Sequence, residues 1–196
     1  MNIAVKVSGM NRSLIVMLAC LSLLVWQQPV KATGNYELVI KRSEKRLLIQ
    51  KDGEVLRSFH VALGSGGRKA KMKSGDRLTP LGKYHITQVR DSDRFHMFIQ
   101  LDYPSVRDAI TALKEDRISK AQYRKILDAH IFGNLPPQNT PLGGAIGIHG
   151  IGVETKDKIE IHEIADWTKG CIALRNDEIE QLTKYISKGT QVTITE

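Results

Sequence analysis

The chain reads as a mainly β domain with inserted helices, β-sandwich-like in architecture, and three observations predict it. Short β-rich runs separated by turn residues fill the N-terminal half. Helical periodicity is confined to one middle stretch and one segment near the C-terminus. Strands follow one another instead of alternating with helices, which disfavours a doubly wound α/β sheet.

In chain order, residues 1–32 read as an export signal and 33–196 as one domain. Met1 to Arg12 carries Lys6 and Arg12 and no acid, Ser13 to Trp26 is apolar, and a polar stretch with small residues reaches Ala32, where cleavage is expected. The apolar run falls short of the roughly 20 residues of a membrane-spanning helix, so no stable anchor is expected. Cys20 sits in the middle of that run, which does not suit lipid attachment.

Tyr36–Ile40 and Arg46–Gln50 are β-rich, and Glu54–Leu63 follows the Lys51-Asp52-Gly53 turn; Asp-Gly between apolar runs marks a hairpin. Gly64–Asp76, rich in glycine and lysine without periodicity, reads as a surface loop, and its basic run Arg68–Lys73 as solvated. Thr79-Pro80-Leu81-Gly82 turns into a strand over Lys83–Val89, and Phe95–Leu101 is another. Val106, Ile110 and Leu113, then Tyr123, Ile126 and Leu127, recur at helical spacing. A proline-rich break at Pro136–Pro141 precedes a buried strand, Ala145–Gly150, that ends at His149. Asn176 or Asp177 is placed to cap a helix with Ile179, Leu182 and Ile186 on one face; Gly189 should end it, and Thr190–Ile194 close the domain as a strand.

About 160 residues remain after the signal, enough for one core without disulfides. The full chain has 29 Lys and Arg against 21 Asp and Glu, a formal charge of +8; loss of Lys6, Arg12 and Lys31 leaves +5. A mildly basic exported protein suits an anionic cell envelope, and solubility alone would explain the charge equally well. Basic residues are dispersed, with no recognition-helix motif, so nucleic acid is not expected as a partner.

The chain has 2 cysteines, and removal of the signal leaves Cys171 as a lone thiol. A free thiol in an oxidising compartment is a liability unless the sulfur has work to do. Gly170 before it lets a carbonyl approach, and Lys169 adds positive potential that favours thiolate. Of the 6 histidines, His149, at a strand end before Gly150, is the best base; His162 is second, being nearer in sequence. His60, His85 and His96 lie in strands and His130 at a helix end, without motifs. A lone cysteine is more often a small buried hydrophobe, and the export argument is what raises the nucleophile reading. His149, His162 and Cys171 could hold a zinc ion, but no C-x-x-C or H-E-x-x-H spacing supports it, and neither metal nor other cofactor is expected.

Together these pieces resemble a known family. Ile148-His149-Gly150, then Thr168-Lys169-Gly170-Cys171-Ile172 and Asn176, is similar to the signature of YkuD-type L,D-transpeptidases. Gly75-Asp76-Arg77-Leu78-Thr79-Pro80-Leu81-Gly82-Lys83-Tyr84, Asp102-Tyr103-Pro104 and Asn139–Gly144 fit the same family. The resemblance spans roughly Tyr36 to Thr195. It implies a β-sandwich-like catalytic domain acting on peptidoglycan tetrapeptide stems, with Cys171 as nucleophile and His149 as proton donor and acceptor. It places oxyanion donors and site support around Gly150, Thr168, Lys169 and Gly170. It also implies an exported, periplasmic or wall-associated enzyme, here expected to be a monomer. Two positions depart from the pattern: Lys169 stands where the family often has histidine, and Ala173 where it often has arginine. The alternatives are an L,D-carboxypeptidase or other cysteine hydrolase using the same site, and a non-catalytic wall-binding module. A papain-like hydrolase is disfavoured, because its cysteine would precede its histidine in the chain.

Overall fold

Eight strands and four helices make up the described part, residues 36–196, of the computed structural model. The expected export signal, with Cys20, lies outside the described residues. Strands β1 (Tyr36–Lys41), β2 (Arg46–Lys51) and β3 (Glu54–His60) form an antiparallel meander. Asp52 and Gly53 turn the β2–β3 hairpin with φ of 51° and 85°, the paired positive values that match strand twist. Strands β4 (Gly82–Ser92) and β5 (His96–Leu101) make a second hairpin. Helices α1 (Val106–Lys114) and α2 (Lys120–Ile131) follow, then β6 (Gly147–Gly150), α3 (Lys156–Ile164), β7 (Ile172–Leu174), α4 (Asn176–Thr183) and β8 (Gln191–Thr195).

The strand order is β3-β2-β1-β8-β4-β5-β6-β7. The last strand, β8, inserts parallel to β1 and antiparallel to the first residues of β4. Strand β4 belongs to both halves of the sheet: Gly82–His85 pairs with β8, and from Ile86 onward it pairs with β5, with an irregular register between Ile86 and Gln88. Such an irregularity bends a strand and lets it change partners. The sheet then curls back on itself. Just past β3, Ala62 N–H donates to Ala173 O at 3.1 Å and Ala173 N–H to Ala62 O at 2.9 Å, tying the meander to β7.

One apolar core lies between the two halves. Leu38, Ile40, Leu47 and Ile49 from the meander join Ile99, Leu101, Ile148, Ile172 and Leu174 from the other half, and Ile179 and Leu182 of α4 add to it. Face-to-face burial of this kind makes the architecture sandwich-like. A smaller core under α1 and α2 gathers Ala109, Ala112, Ile118, Ile126 and Leu142. Ser105 and Ser119 start those helices with capping boxes closed by Asp108 and Gln122.

Several expected details differ. The last helix is capped by Arg175, whose N–H donates to Glu178 at 3.1 Å, because the Asn176 side chain is drawn elsewhere. That helix ends at Thr183, and Gly189 (φ 91°) serves a later turn. Helix α3 and strand β7 had no clear periodic signal: α3 buries only His162, and β7 has 3 residues. The Gly64–Asp76 segment is not wholly a surface loop. Gly64 is buried, and Lys71 pairs with Asp76 at 2.7 Å with side chains only 4% and 9% exposed.

Candidate active site

Strand register brings the two favoured residues together. Ile148 pairs with Ile172 and His149 with Ala173 in the parallel β6–β7 ladder. Ile148 and Ile172 face the shared core, so by the two-residue alternation His149, Ala173 and the preceding Cys171 face outward on the opposite side. The histidine and cysteine thus stand on adjacent strands, on one face, although far apart in sequence.

The turn that presents Cys171 is held from within. Thr168 Oγ1 donates to Cys171 O at 2.7 Å and accepts from Gly170 N–H at 3.1 Å, so one buried hydroxyl staples the turn. The Thr168 backbone is fastened to the β3 extension, donating to Leu63 O and accepting from Ser65 N–H, each at 3.0 Å. Asp166 accepts from Leu63 N–H at 3.0 Å and pairs with Lys45 at 3.3 Å. Gly170 has φ of 124°, and a Cβ there would meet Leu78 O at 2.8 Å, so both backbone and space demand glycine. A Cβ on Gly64 would sit 3.0 Å from Gly170 Cα and 2.2 Å from Arg77 O, which is why this approach is glycine on both sides.

The Cys171 thiol donates to Ala145 O at 3.3 Å. Burial pushes it up to about 11, against the opposing pull of the Gly147 N–H and the Lys71 charge. The cation felt at the sulfur therefore comes from Lys71, within the segment read as a solvated loop. Lys169 is exposed at the mouth of the same cleft. The Asp76 carboxyl that pairs with Lys71 is raised by burial, yet the Lys71 ammonium and the N–H groups of Lys73, Met72 and Leu78 hold it below its ordinary range.

His149 is 2% exposed. Its ring centroid lies 4.2 Å from that of Phe95, 6.3 Å from Phe98 and 5.8 Å from Trp167. Nδ1 stands 2.8 Å from Gly150 O, and a carbonyl can only accept, so Nδ1 carries the proton and Nε2 is the acceptor. Burial, helped by Arg94, His162 and Lys158, lowers the ring to about 4 despite the Gly150 hydrogen bond. At neutral pH the pair is thus a neutral imidazole beside an un-ionised thiol. Among the described residues the two side chains share no direct hydrogen bond.

Asn176 braces the loop after His149. Its Nδ2 donates to Gly152 O at 2.7 Å and its Oδ1 accepts from Gly152 N–H at 3.1 Å. A Cβ on Gly150 would meet Asn176 Oδ1 and Phe95 O, each at 2.6 Å. The other histidines are placed apart. His85 binds Asp102 at 3.1 Å, His96 binds Glu180 at 2.7 Å, and His130 binds Pro104 O at 2.9 Å. His162 is buried, packs edge-on against His60 at 5.8 Å, and has no partner on either ring nitrogen. It does not line the cleft that holds Cys171, and its charge when protonated opposes protonation of His149.

Cys171 opens into a cleft of about 620 Å³, walled by Ala145, Phe95, Phe98 and Ile146. That volume is in the usual range of a ligand site. Lys71, Lys169, Arg90 and Arg94 also line it, and no carboxylate does. Phe95, Phe98, Arg90, Arg94 and Lys71 were not singled out as site residues from the sequence. Trp167 immediately precedes the cysteine motif, but nothing in the sequence marks it as a wall of the histidine pocket.

Residues 35–194 match the sequence model of the YkuD family, described as the L,D-transpeptidase catalytic domain. The fold is similar to that of Bd1075 from Bdellovibrio bacteriovorus, with a TM-score of 0.53 at 17% identity over 85% of this chain and 50% of that one. It is also similar to the helical cell shape determining protein Pgp2 from Campylobacter jejuni, with a TM-score of 0.52 at 21% identity over 83% and 50%. At these identities the likeness is one of fold, and the chain spans half the length of each of those proteins. Comparison with curated proteins gives no match.

Proposed function

The chain belongs to the YkuD family of L,D-transpeptidase catalytic domains, and from that premise we propose that it is a cysteine acyltransferase of peptidoglycan stem peptides. The observation that carries this reading is the placement of His149 on β6 and Cys171 at the entry to β7 on one face of the sheet, with Cys171 opening into a cationic cleft and His149 buried behind its Phe95 and Phe98 wall.

The proposed chemistry follows from the protonation states. Cys171 turns from Ala145 O and attacks the carbonyl of the L-centre before the terminal D-residue, while His149 Nε2 takes the thiol proton. The S–C bond forms, the peptide C–N bond breaks, and His149 returns the proton to the departing amine. A second stem's amine then attacks the thioester, gives its proton to Nε2, and the thiol is restored. Gly150 O holds the imidazole tautomer throughout, a role any backbone carbonyl at 2.8 Å would fill. The Gly170 N–H is engaged by Thr168 in the resting turn, so we assign the principal oxyanion donor to the Cys171 N–H. Thr168 and Gly170 act by shaping the turn, and Lys169 by its charge at the cleft mouth.

We further read residues 1–32 as a removable export signal ending near Ala32, which would deliver a monomeric domain to the cell envelope. N-terminal sequencing of the protein recovered from the envelope fraction should begin at Thr33; an intact Met1 there would refute it.

The acyl-enzyme is tested with tetrapeptide-bearing muropeptide and mass spectrometry. A thioester adduct on Cys171 and cross-linked dimer are expected. Tripeptide with free D-residue would instead mean that water is the acceptor and that the same site is a carboxypeptidase. Identical products from wild type and Cys171→Ala would sink the nucleophile assignment. A carbapenem should add its mass to Cys171, and an unmodified protein would count against the reading.

A further inference from the structure

The outer face of the second half of the sheet carries one continuous row. Arg90 on β4 pairs with Phe98 on β5, Phe98 with His149 on β6, and His149 with Ala173 on β7. The row is built by contact as well as by register. The Arg90 guanidinium lies 5.0 Å from the Phe98 ring centroid, and Phe98 stacks on His149 at 6.3 Å with 9° between planes. A second stack runs beside it: the Arg94 guanidinium is 4.8 Å from the Phe95 ring, and Phe95 is 4.2 Å from His149. Each arginine is therefore separated from the imidazole by a single aromatic ring.

Neither arginine has a carboxylate partner among the described residues. Asp91 and Asp93 flank the hairpin but line a different surface hollow. Lys71, the other cation deep in the cleft, is neutralised by Asp76. Beyond Cys171, β7 offers only the buried Ala173, whose methyl supplies no charge next to the nucleophile. Both guanidiniums are exposed, and stacking on aromatic rings pre-organises them for an anion that enters the cleft. Aromatic stacking fixes the plane of the guanidinium and leaves its N–H edge free for bidentate contact with a carboxylate.

We propose that Arg90 and Arg94 form a carboxylate-binding subsite that selects the acyl donor in this cleft. This rests on the peptide reading of the site given above. The stem offers two sources of carboxylate, its C-terminal group and its side-chain groups, and both present the same planar anion. The arginines would hold that anion one ring's width from His149 and so set how the scissile carbonyl meets Cys171. They touch the substrate and not the reacting atoms, and so are specificity-determining residues.

The test measures binding, so it does not depend on thioester chemistry. Cys171→Ala protein is titrated calorimetrically with the free-acid tetrapeptide stem, with the stem amidated at its C-terminus, and with the stem amidated on its side-chain carboxylates. The free acid should bind about 10- to 100-fold more tightly than one of the two amides, as expected for a charge-assisted bidentate pair; which amide loses affinity identifies the carboxylate. Adding Arg90→Gln and Arg94→Gln should bring that ratio close to one, while Arg90→Lys with Arg94→Lys should keep part of it. Equal binding of all three peptides, no binding of any, or an undiminished ratio in the glutamine variant would each overturn the subsite. Failure of the nucleophile reading shows separately, as product formation that persists in Cys171→Ala.

Discussion

The β1–β2–β3 meander and the β6–β7 corner contribute to the same core but use their outer faces differently. In β1, buried Leu38 and Ile40 alternate with half-buried Glu37, Val39 and Lys41, the ordinary pattern of a sheet with one wet face. In β6 and β7 every residue is buried, because Phe95, Trp167 and the Cys171 turn cover the outer side. A strand dry on both faces can hold a desolvated imidazole, and a strand with a wet face cannot. This explains why the candidate chemistry sits on the two shortest strands and not on the long regular ones.

The largest effect expected from breaking the corner is chemical. Cys171→Ala should lower acyl transfer by a factor of about 10³ or more, and His149→Gln by about 10² to 10⁴, with little change in fold. Turnover of a fluorogenic or mass-tagged stem peptide reads both. Full activity in either variant would remove that residue from the mechanism.

Burial of His149 should appear in the pH dependence. The folded ring takes a proton only near 4, against an ordinary 6.5, so between those values unfolding takes up a proton. Stability is therefore complete above pH 6.5 and declines as the pH falls toward 4, by about 3 kcal/mol in all. Chemical denaturation across that window should show a larger loss in wild type than in His149→Gln, where the likewise lowered His162 remains. Activity should hold on a broad plateau with its acid limb nearer 4 than 6.5. An acid limb near 6.5 would instead mean that the imidazole is as well solvated as a free one.

Next come the supports of the turn. Gly170→Ala should cost about 2–4 kcal/mol by denaturant midpoint, through both a positive φ and a collision with Leu78 O. Gly189→Ala, at φ of 91° in open space, carries the backbone cost alone, about 1 kcal/mol. Equal losses at the two sites would refute the close packing argued for Gly170. Thr168→Val strands the Gly170 N–H and removes the donor to Cys171 O, and should cost about 1–3 kcal/mol. The smallest effect belongs to the meander: Arg57→Gln, exposed on β3, should stay within about 0.5 kcal/mol and leave turnover unchanged.

Much of this arrangement is written locally. Asp52-Gly53 specifies its hairpin, Ser105 and Ser119 specify helix starts, and alternation in Tyr36–Ile40 specifies a strand. Elements whose signal is not local were missed. Strand β7 is too short for periodicity, and α3 lacks an apolar stripe because its burial amounts to one histidine. Asn176 looked like a cap because its residue type favours one, but a loop held by two hydrogen bonds to Gly152 claimed the side chain first.

The same division holds for the candidate site. Residue type and motif alone singled out Cys171 and His149, since a thiol that would be unpaired after loss of the expected signal and a histidine before glycine are features of the chain itself. Their meeting on one face depended on the parallel pairing of β6 with β7, a contact between segments that sequence spacing does not encode. Electrostatics were decided still later. Lys169 is two residues from the cysteine in sequence, yet Lys71 bears on its sulfur, and Arg90 and Arg94 reach the cleft from a distant hairpin. Charge acts through space and burial, so the sequence by itself determined which groups are present, and only the folded sheet decided which of them face one another.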